Sequence, residues 1–398
     1  MINLFRKKSF SVLLIIFLLS LFLGADEPVS LQFKQEKGQI LHADALVNET
    51  VYIDGYYSHQ AEIDEFSVSA VREVSEEGSA VLDSSFRTVE RIGGVPGILE
   101  WISSETVRLE RDMLGSLTVP IEAARPVLRH VPSFPDYPVS PGDSWSLPAE
   151  EVHLLRIRNV LYGPYYGSFM AQYQYLDNRE IEGRLFARIS IEYNVYLPVR
   201  QTGEPIRLIT GQSIQEILWD IENGRPEQKR EDFEFLMMMA DGRTQEFIGR
   251  GETTYRLTKS IDRPQAVNSL RSELGAVPGV TVQPTEEGIL LSVIETDRIL
   301  FEPESSVVSS DQRSRLEELA RSLSAYNERD ILITGHTANY GTTEGRQNLS
   351  RDRAAAVSQI LFPEGRPGPG KLFLKGAGNS EPLGSDQADR RVEILILD

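Results

Sequence analysis

The chain contains no cysteine. That absence excludes structural disulfides, thiolate zinc sites, cysteine nucleophiles and a lipid-bearing N-terminal cysteine together. Histidine is scarce, five in 398 residues, and no HExxH pair occurs, so histidine-led metal chemistry has little to stand on. Positive charge is short as well: 41 Lys plus Arg stand against 59 Asp plus Glu, a net charge of -18. A nucleic-acid binder needs a basic footprint to displace counterions, so that partner class is excluded, and an anionic membrane surface fits no better. No phosphate cradle is present. Gly365-Arg-Pro-Gly-Pro-Gly370 lacks the Gly-Lys-Ser/Thr ending, and Gly376-Ala-Gly378 has Glu381 where a third glycine belongs, so both read as turns and no cofactor is expected.

What is there is an ordinary globular composition, 40% hydrophobic and 25% charged, long enough for two or three domains. Arg6, Lys7 and Lys8 precede an apolar run from Phe10 to Leu23, and Gly24-Ala25 gives way to Asp26-Glu27-Pro28. This is the layout of a secretory signal over residues 1–25, with cleavage expected after Ala25. An uncleaved anchor is the alternative, since Leu23 suits the cleavage site poorly, although the run is shorter than the roughly 20 residues of a spanning helix. Cleavage would take the net charge from -18 to -21. The expected address is the periplasm, at the cell wall or outer membrane.

Residues 26–261 read as an antiparallel β-rich module. Leu185, Ala187, Ile189, Ile191, Tyr193, Val195 and Leu197 alternate with polar residues, the pattern of a half-buried strand. Asn223-Gly224 and Asp241-Gly242 break three further strand-like stretches, about 205–221, 231–240 and 243–258. A first pair is expected at about 63–75 and 79–91, turned at Glu77-Gly78. Pro132-Ser-Phe-Pro-Asp-Tyr-Pro138, followed by Pro141-Gly-Asp-Ser-Trp145, cannot pair as a central strand, so it is a linker between two subdomains or a loop laid over a sheet. Met237-Met-Met239 reads as core filler. A transmembrane barrel would need more ten-residue strands than the pattern supplies, and 25 basic against 42 acidic residues in 26–288 favour a soluble sheet.

From 262 to 398 the texture changes. A helix at Gln265 to Leu274 leads through Pro278-Gly279 to strands at 280–283 and 289–294, turned at Glu287-Gly288. A helix capped by Ser309 or Ser310 buries Leu316, Leu319, Ala320 and Leu323. Ile331 to Thr334 is a buried strand. A second helix directs Leu349, Val357, Ile360 and Leu361 inward, and strands follow at 372–374 and 392–397. This β-α-β-α-β-β order predicts a two-layer α/β domain, so the whole chain is α+β and multidomain. Arg353, four residues from both Leu349 and Val357, starts from the apolar face and must snorkel, pair with Glu344 or another carboxylate, or line a pocket.

Four ordered blocks then stand out: Ile331-Leu-Ile-Thr-Gly-His-Thr-Ala-Asn-Tyr-Gly341, Asn348-Leu-Ser-Arg-Asp-Arg-Ala-Ala-Ala-Val357, Gly376-Ala-Gly-Asn-Ser-Glu-Pro382 and Arg390-Arg-Val-Glu-Ile394. With Ile299-Leu-Phe-Glu-Pro-Glu-Ser305 upstream, they resemble the outer-membrane-protein-A-like (OmpA-like) domain family over about residues 280–398. The resemblance implies a domain that holds peptidoglycan without cutting it, gripping the zwitterionic end of diaminopimelate. In the family an Asp directly after Gly-His-Thr meets the ammonium, and the Arg of Leu-Ser-x-x-Arg-Ala meets the carboxylate. Arg353 matches the second position. After Thr337, the first position is Ala338, which carries no charge. Arg346 and Asp389 each replace a family Asn, and Ser385-Asp386 replaces a Gly-Arg. The site residues by resemblance are therefore Arg353, Thr337, Ala338, Arg346 and Asp389, with Glu344 or Asp389 as substitutes for the missing anion.

The leading expectation is a non-catalytic envelope protein, associated with peptidoglycan or derived from a binder with weakened diaminopimelate recognition, its β-rich module contacting other envelope proteins. The alternative is a periplasmic protein-interaction scaffold that no longer binds the wall. An enzyme would need paired carboxylates or a nucleophile with its base, and no spacing singles out either.

Overall fold

The computed structural model of the protein describes residues 27–91, 98–157, 160–275, 279–294, 300–301, 304–363, 365 and 368–398. The expected signal segment lies outside them, as do Pro278 of one expected turn and Ile299, Glu302 and Pro303 of the first family block.

Two meanders build the β-rich region. The first comprises β1 (Gln39–Ile53), β2 (Tyr56–Val74), β3 (Ala80–Arg91) and β4 (Ile98–Arg111). After the short β5 (Leu117–Thr118) and β6 (Leu128–Arg129), the second comprises β7 (Ser144–Ile157), β8 (Val160–Ile181), β9 (Arg184–Pro198), β10 (Ile206–Asp220), β11 (Arg225–Met239) and β12 (Thr244–Lys259). β12 returns to pair antiparallel with β1, from Gln39↔Lys259 to Ile53↔Gln245, and fuses the two meanders into one sheet. The expected turns stand at Gly78, Gly224 and Gly242, all with positive φ. At Gly224 there is a second demand, because a Cβ there would lie 2.6 Å from the Gln32 carbonyl oxygen.

The sheet curls around residues 27–35 and 115–145. On β9 the expected face is buried from Ala187 to Val195, while Leu185 at the strand end is 46% exposed. Opposite it, the proline-rich segment lies inside the curve: Phe134 is 1% exposed and packs 4.6 Å from Trp219, and Trp145 stacks on Tyr173 at 5.2 Å. The strand count expected from the sequence is corrected, since ten strands run 12 to 22 residues. The outward face of β11 and β12 is charged, however. Exposed ion pairs such as Arg250–Asp232 (2.7 Å) and Arg230–Glu252 (3.4 Å) lie across β11 and β12, unlike the lipid-facing surface of a membrane barrel.

The C-terminal region contains α1 (Arg263–Leu274), β13 (Val280–Pro284), β14 (Gly288–Ile294), α2 (Ser310–Leu323), β15 (Ile331–His336), α3 (Thr343–Leu361), β16 (Leu372–Gly378), α4 (Asp386–Asp389) and β17 (Arg391–Leu397). Asp262 caps α1 by accepting from the Gln265 amide at 3.1 Å. The strands pair in the order β13, β14, β17, β15, β16, with β15 and β16 parallel.

Apart from the edge strand β13, where Thr281 and Gln283 are exposed, these strands bury both faces. Ile331, Ile333, Leu372, Leu374, Ile394 and Ile396 pack under the helices. The alternate residues Leu332, Phe373, Leu395 and Leu397 pack against Phe66 and Leu99 of the β-rich region. The domain itself has the two layers expected, helices on one face of the sheet, and β2–β4 of the β-rich region cover the other face, which is why the apolar runs are unbroken. Phe373, fully buried, sits edge-on to Phe66 at 5.5 Å and to Trp101 at 5.3 Å. β16 also pairs in parallel with β4, Leu372–Leu374 against Ile98–Glu100, so one continuous sheet crosses between the two regions.

Candidate functional site

The family blocks converge where β15 ends and α3 begins. Strand and helix touch directly there: a Cβ on Gly335 would stand 2.0 Å from the Ser350 carbonyl oxygen. Ser350 is wholly buried, its hydroxyl donating to the Gln347 carbonyl (2.8 Å) and accepting from the Gly378 amide (2.9 Å). This contact corrects the expected inward stripe of α3. The buried residues are Ser350, Arg353, Ala354, Val357, Ser358 and Leu361, while Leu349 and Ile360 are only partly buried.

Thr337 is buried, its amide donating to the Gly378 carbonyl at 2.8 Å and its hydroxyl having no partner. Ala338 is 5% exposed. Arg353 is 6% exposed; its Nε donates to the Ser305 carbonyl at 3.0 Å, and the guanidinium lies 4.8 Å from the Phe301 ring centroid. Of the partners weighed for it, Glu344 is exposed on the first turn of α3. Arg346 joins two loop positions and the first turn of its own helix, donating to Asn379 Oδ1 (2.8 Å), the Gly341 carbonyl (2.6 Å) and Thr343 Oγ1 (3.1 Å). Asp389 is buried and accepts from the Leu383 amide at 2.6 Å.

Beside these residues is a group that sequence spacing did not reveal. His336, Glu381 and Glu393 offer ligand atoms within 4.8 Å of one another. Their charge is already balanced: Glu393 faces His336 Nε2 at 3.2 Å and accepts from Arg391 Nε at 2.7 Å, and Lys375 pairs with Glu381 at 3.0 Å. Burial alone would raise the Glu393 carboxyl, but the hydrogen bonds from His336 and Arg391 outweigh it and hold it at about 2. A metal would have to displace two cations, so the arrangement works as a polar clasp between β15 and β17.

The comparisons follow this geometry. The OmpA family model matches residues 300–393. Outer-membrane lipoprotein YfiB of Pseudomonas aeruginosa is 29% identical over 107 residues, 25% of this chain and 63% of that protein, so the chain spans less than two thirds of it. The peptidoglycan-associated lipoprotein of Brucella melitensis is 30% identical over 117 residues, 29% of this chain and 68% of that protein. Among solved structures, an outer membrane protein from Borrelia burgdorferi B31 is 29% identical and covers 30% of this chain and 97% of its own, with a TM-score of 0.24. Fold and loops define an α/β domain, a mixed sheet with helices on one face. Through it the chain belongs to the OmpA family.

Proposed function

We propose that this is an exported, non-catalytic envelope protein, peptidoglycan-associated through residues 262–398 and weakened in its recognition of diaminopimelate, with the β-rich module contacting other envelope proteins. The observation that carries the reading is the buried Ala338 methyl at the end of β15, where the family places the carboxylate for the ligand's ammonium. Arg353 supports it, because its guanidinium is held against the Ser305 carbonyl and the Phe301 ring at the place where a carboxylate would dock. An ammonium left unpaired in such a site costs about 1–3 kcal/mol.

Co-sedimentation of the full chain with insoluble peptidoglycan tests this. The expected result is a small bound fraction that Arg353→Ala removes. Tight binding indifferent to Arg353→Ala overturns the inherited-pocket reading. A second reading, the protein-interaction scaffold, is favoured by Arg346, whose three guanidinium nitrogens all bond within the chain, to Asn379, Gly341 and Thr343. No sedimentation by wild type or any variant decides for it.

A further inference from the structure

The curled sheet of the β-rich region is filled unevenly. Over β7–β10 its hollow is packed by its own aromatic residues, among them Trp145, Tyr173, Tyr175 and Trp219. Over β1–β4 and β11–β12 the hollow is a cavity of about 640 Å³, and much of its floor is alanine and serine: Ala43, Ala45, Ser67, Ser69 and Ser84. Protein interiors are close-packed, and an unfilled volume forfeits contacts that larger side chains at those positions would make. A space of this size, within the roughly 300–1,000 Å³ of small-molecule sites, is the shape of a binding site.

Its charges give it a direction. Lys229 is paired with Glu231 at 2.9 Å, and Glu231 also accepts from Ser213 (2.7 Å) and Gln215 (3.1 Å). Arg111 is different. It donates through Nε and Nη2 to the neutral Gln35 Oε1 (3.0 and 2.7 Å) and lies 4.1 Å from the Phe33 ring centroid, with no carboxylate partner among the described residues. Burial lowers it to about 10, against an opposing contribution from Tyr255, so the guanidinium keeps its charge at neutral pH. It stands where the large cavity meets a second one of about 150 Å³; both are lined by Phe33, Leu41, Ser69 and Arg111. Glu49 lies on the same wall eight residues further along β1, roughly 25 Å from Leu41 at strand spacing. The hollow therefore runs from Arg111, where Glu36 and Glu222 line the smaller cavity, along a stretch lined by Leu41, Val47, Leu82, Phe86 and Phe233, with Arg125 lying 6.0 Å from the Phe86 ring, toward Glu49 and Glu65 further along the wall.

We infer that the β-rich region binds a single-chain amphiphile bearing a carboxylate or phosphate, its anion on Arg111 and its hydrocarbon chain along β1–β3 and β11. The anion supplies the charge that Arg111 lacks, and the chain fills the space that the alanine and serine floor leaves open. Glu49 and Glu65 disfavour the reversed orientation. This inference is independent of wall binding.

Calorimetry on the full chain with palmitate, hexadecyl phosphate and hexadecanol tests it in the wild type alone. The expected result is that one or both anions bind at least tenfold more tightly than the alcohol; the preferred anion separates a fatty acid from a phosphate-headed lipid as the source. Arg111→Gln is expected to cost the anion about tenfold and erase its advantage over the alcohol. Ala45→Trp is expected to abolish binding of all three. Equal wild-type affinity for acid, phosphate and alcohol, or no binding of any, overturns the inference, as does a folded Arg111→Gln protein with unchanged anion affinity.

Discussion

The carboxylate of Asp330 and the guanidinium of Arg87 meet at 2.5 Å across 243 residues of sequence, and both side chains are almost fully buried. Asp330 also accepts from Arg256 Nη2 at 3.0 Å and from the Lys371 amide at 3.0 Å, so β3, β12 and the C-terminal sheet are tied at one carboxylate. Removing that carboxylate leaves two guanidinium groups without their anion inside the interface. Asp330→Ala is expected to destabilise the full chain by about 3–5 kcal/mol. Arg87→Met is expected to cost less, because Asp330 keeps Arg256. Urea denaturation of both variants checks the order.

The same cluster sets a pH response. His42, in contact with Asp330 at 3.7 Å, is lowered from 6.5 chiefly by burial, with Arg256 and Arg87 adding to the effect and Asp330 opposing it. The folded chain therefore binds fewer protons at His42 than the unfolded chain, and stability falls as pH drops below 6.5 through the folded value. Asp330 lies well below its ordinary 3.8, burial being overcome by His42, Arg87 and the Lys371 amide, so its contribution is lost only in stronger acid. Between pH 7 and 5 the wild type is expected to lose more stability than His42→Asn. Parallel curves for the two proteins would remove His42 from the account.

Residues 262–398 are proposed to fold as an isolated fragment, since the core under the helices is closed by their own side chains. Isolation would uncover Leu290, Leu332, Phe373, Leu395 and Leu397 on the other face. The expected fragment melts cooperatively, at a lower temperature than the full chain, and binds an apolar dye at the uncovered sheet face, a site that the full chain keeps covered. A fragment without a cooperative melt would place the boundary elsewhere.

Gly335→Ala is expected to destabilise by at least about 1–3 kcal/mol, the usual range for forcing volume into a packed contact. The Ser350 carbonyl, 2.0 Å from the added Cβ, belongs to the backbone of α3 and has no rotamer to move. A shifted urea midpoint is the readout.

Ala338→Asp is expected to strengthen binding of diaminopimelate-containing muropeptides about tenfold, or roughly 1.4 kcal/mol. Calorimetry with the full chain measures it. No gain would count against an otherwise intact inherited pocket.

Much of the architecture could be read from local chemistry. Asn223-Gly224 and Asp241-Gly242 located the hairpins, and the alternation from Ala187 to Val195 located a half-buried strand. β1 left no such trace, because its inward face runs Leu41, Ala43, Ala45, Val47, Glu49 and lines a cavity rather than a packed core. The burial of the face carrying Leu332 and Phe373 was encoded in the unbroken apolar runs, but a run does not say what covers its second face. The site was legible at the motif level only. Arg353 meets a main-chain carbonyl at Ser305, and any residue type offers one. Arg111 did carry a signal: it continues the inward positions of Val107 and Leu109, and a charge at the next place in that alternation marks a lined hollow.

The three register pairs between β4 and β16, Leu372 with Ile98 through Leu374 with Glu100, have a mechanical consequence. A tethered pair of domains lets one half drift while the other is held. Here a pull on the loops after β15 reaches β4 through lateral hydrogen bonds and the ring contacts of Phe373, with no slack to take up. If the C-terminal loops are fastened to a rigid mesh, the β-rich region is held through β4 and β16 along with them, and the chain acts as a bracket rather than a leash.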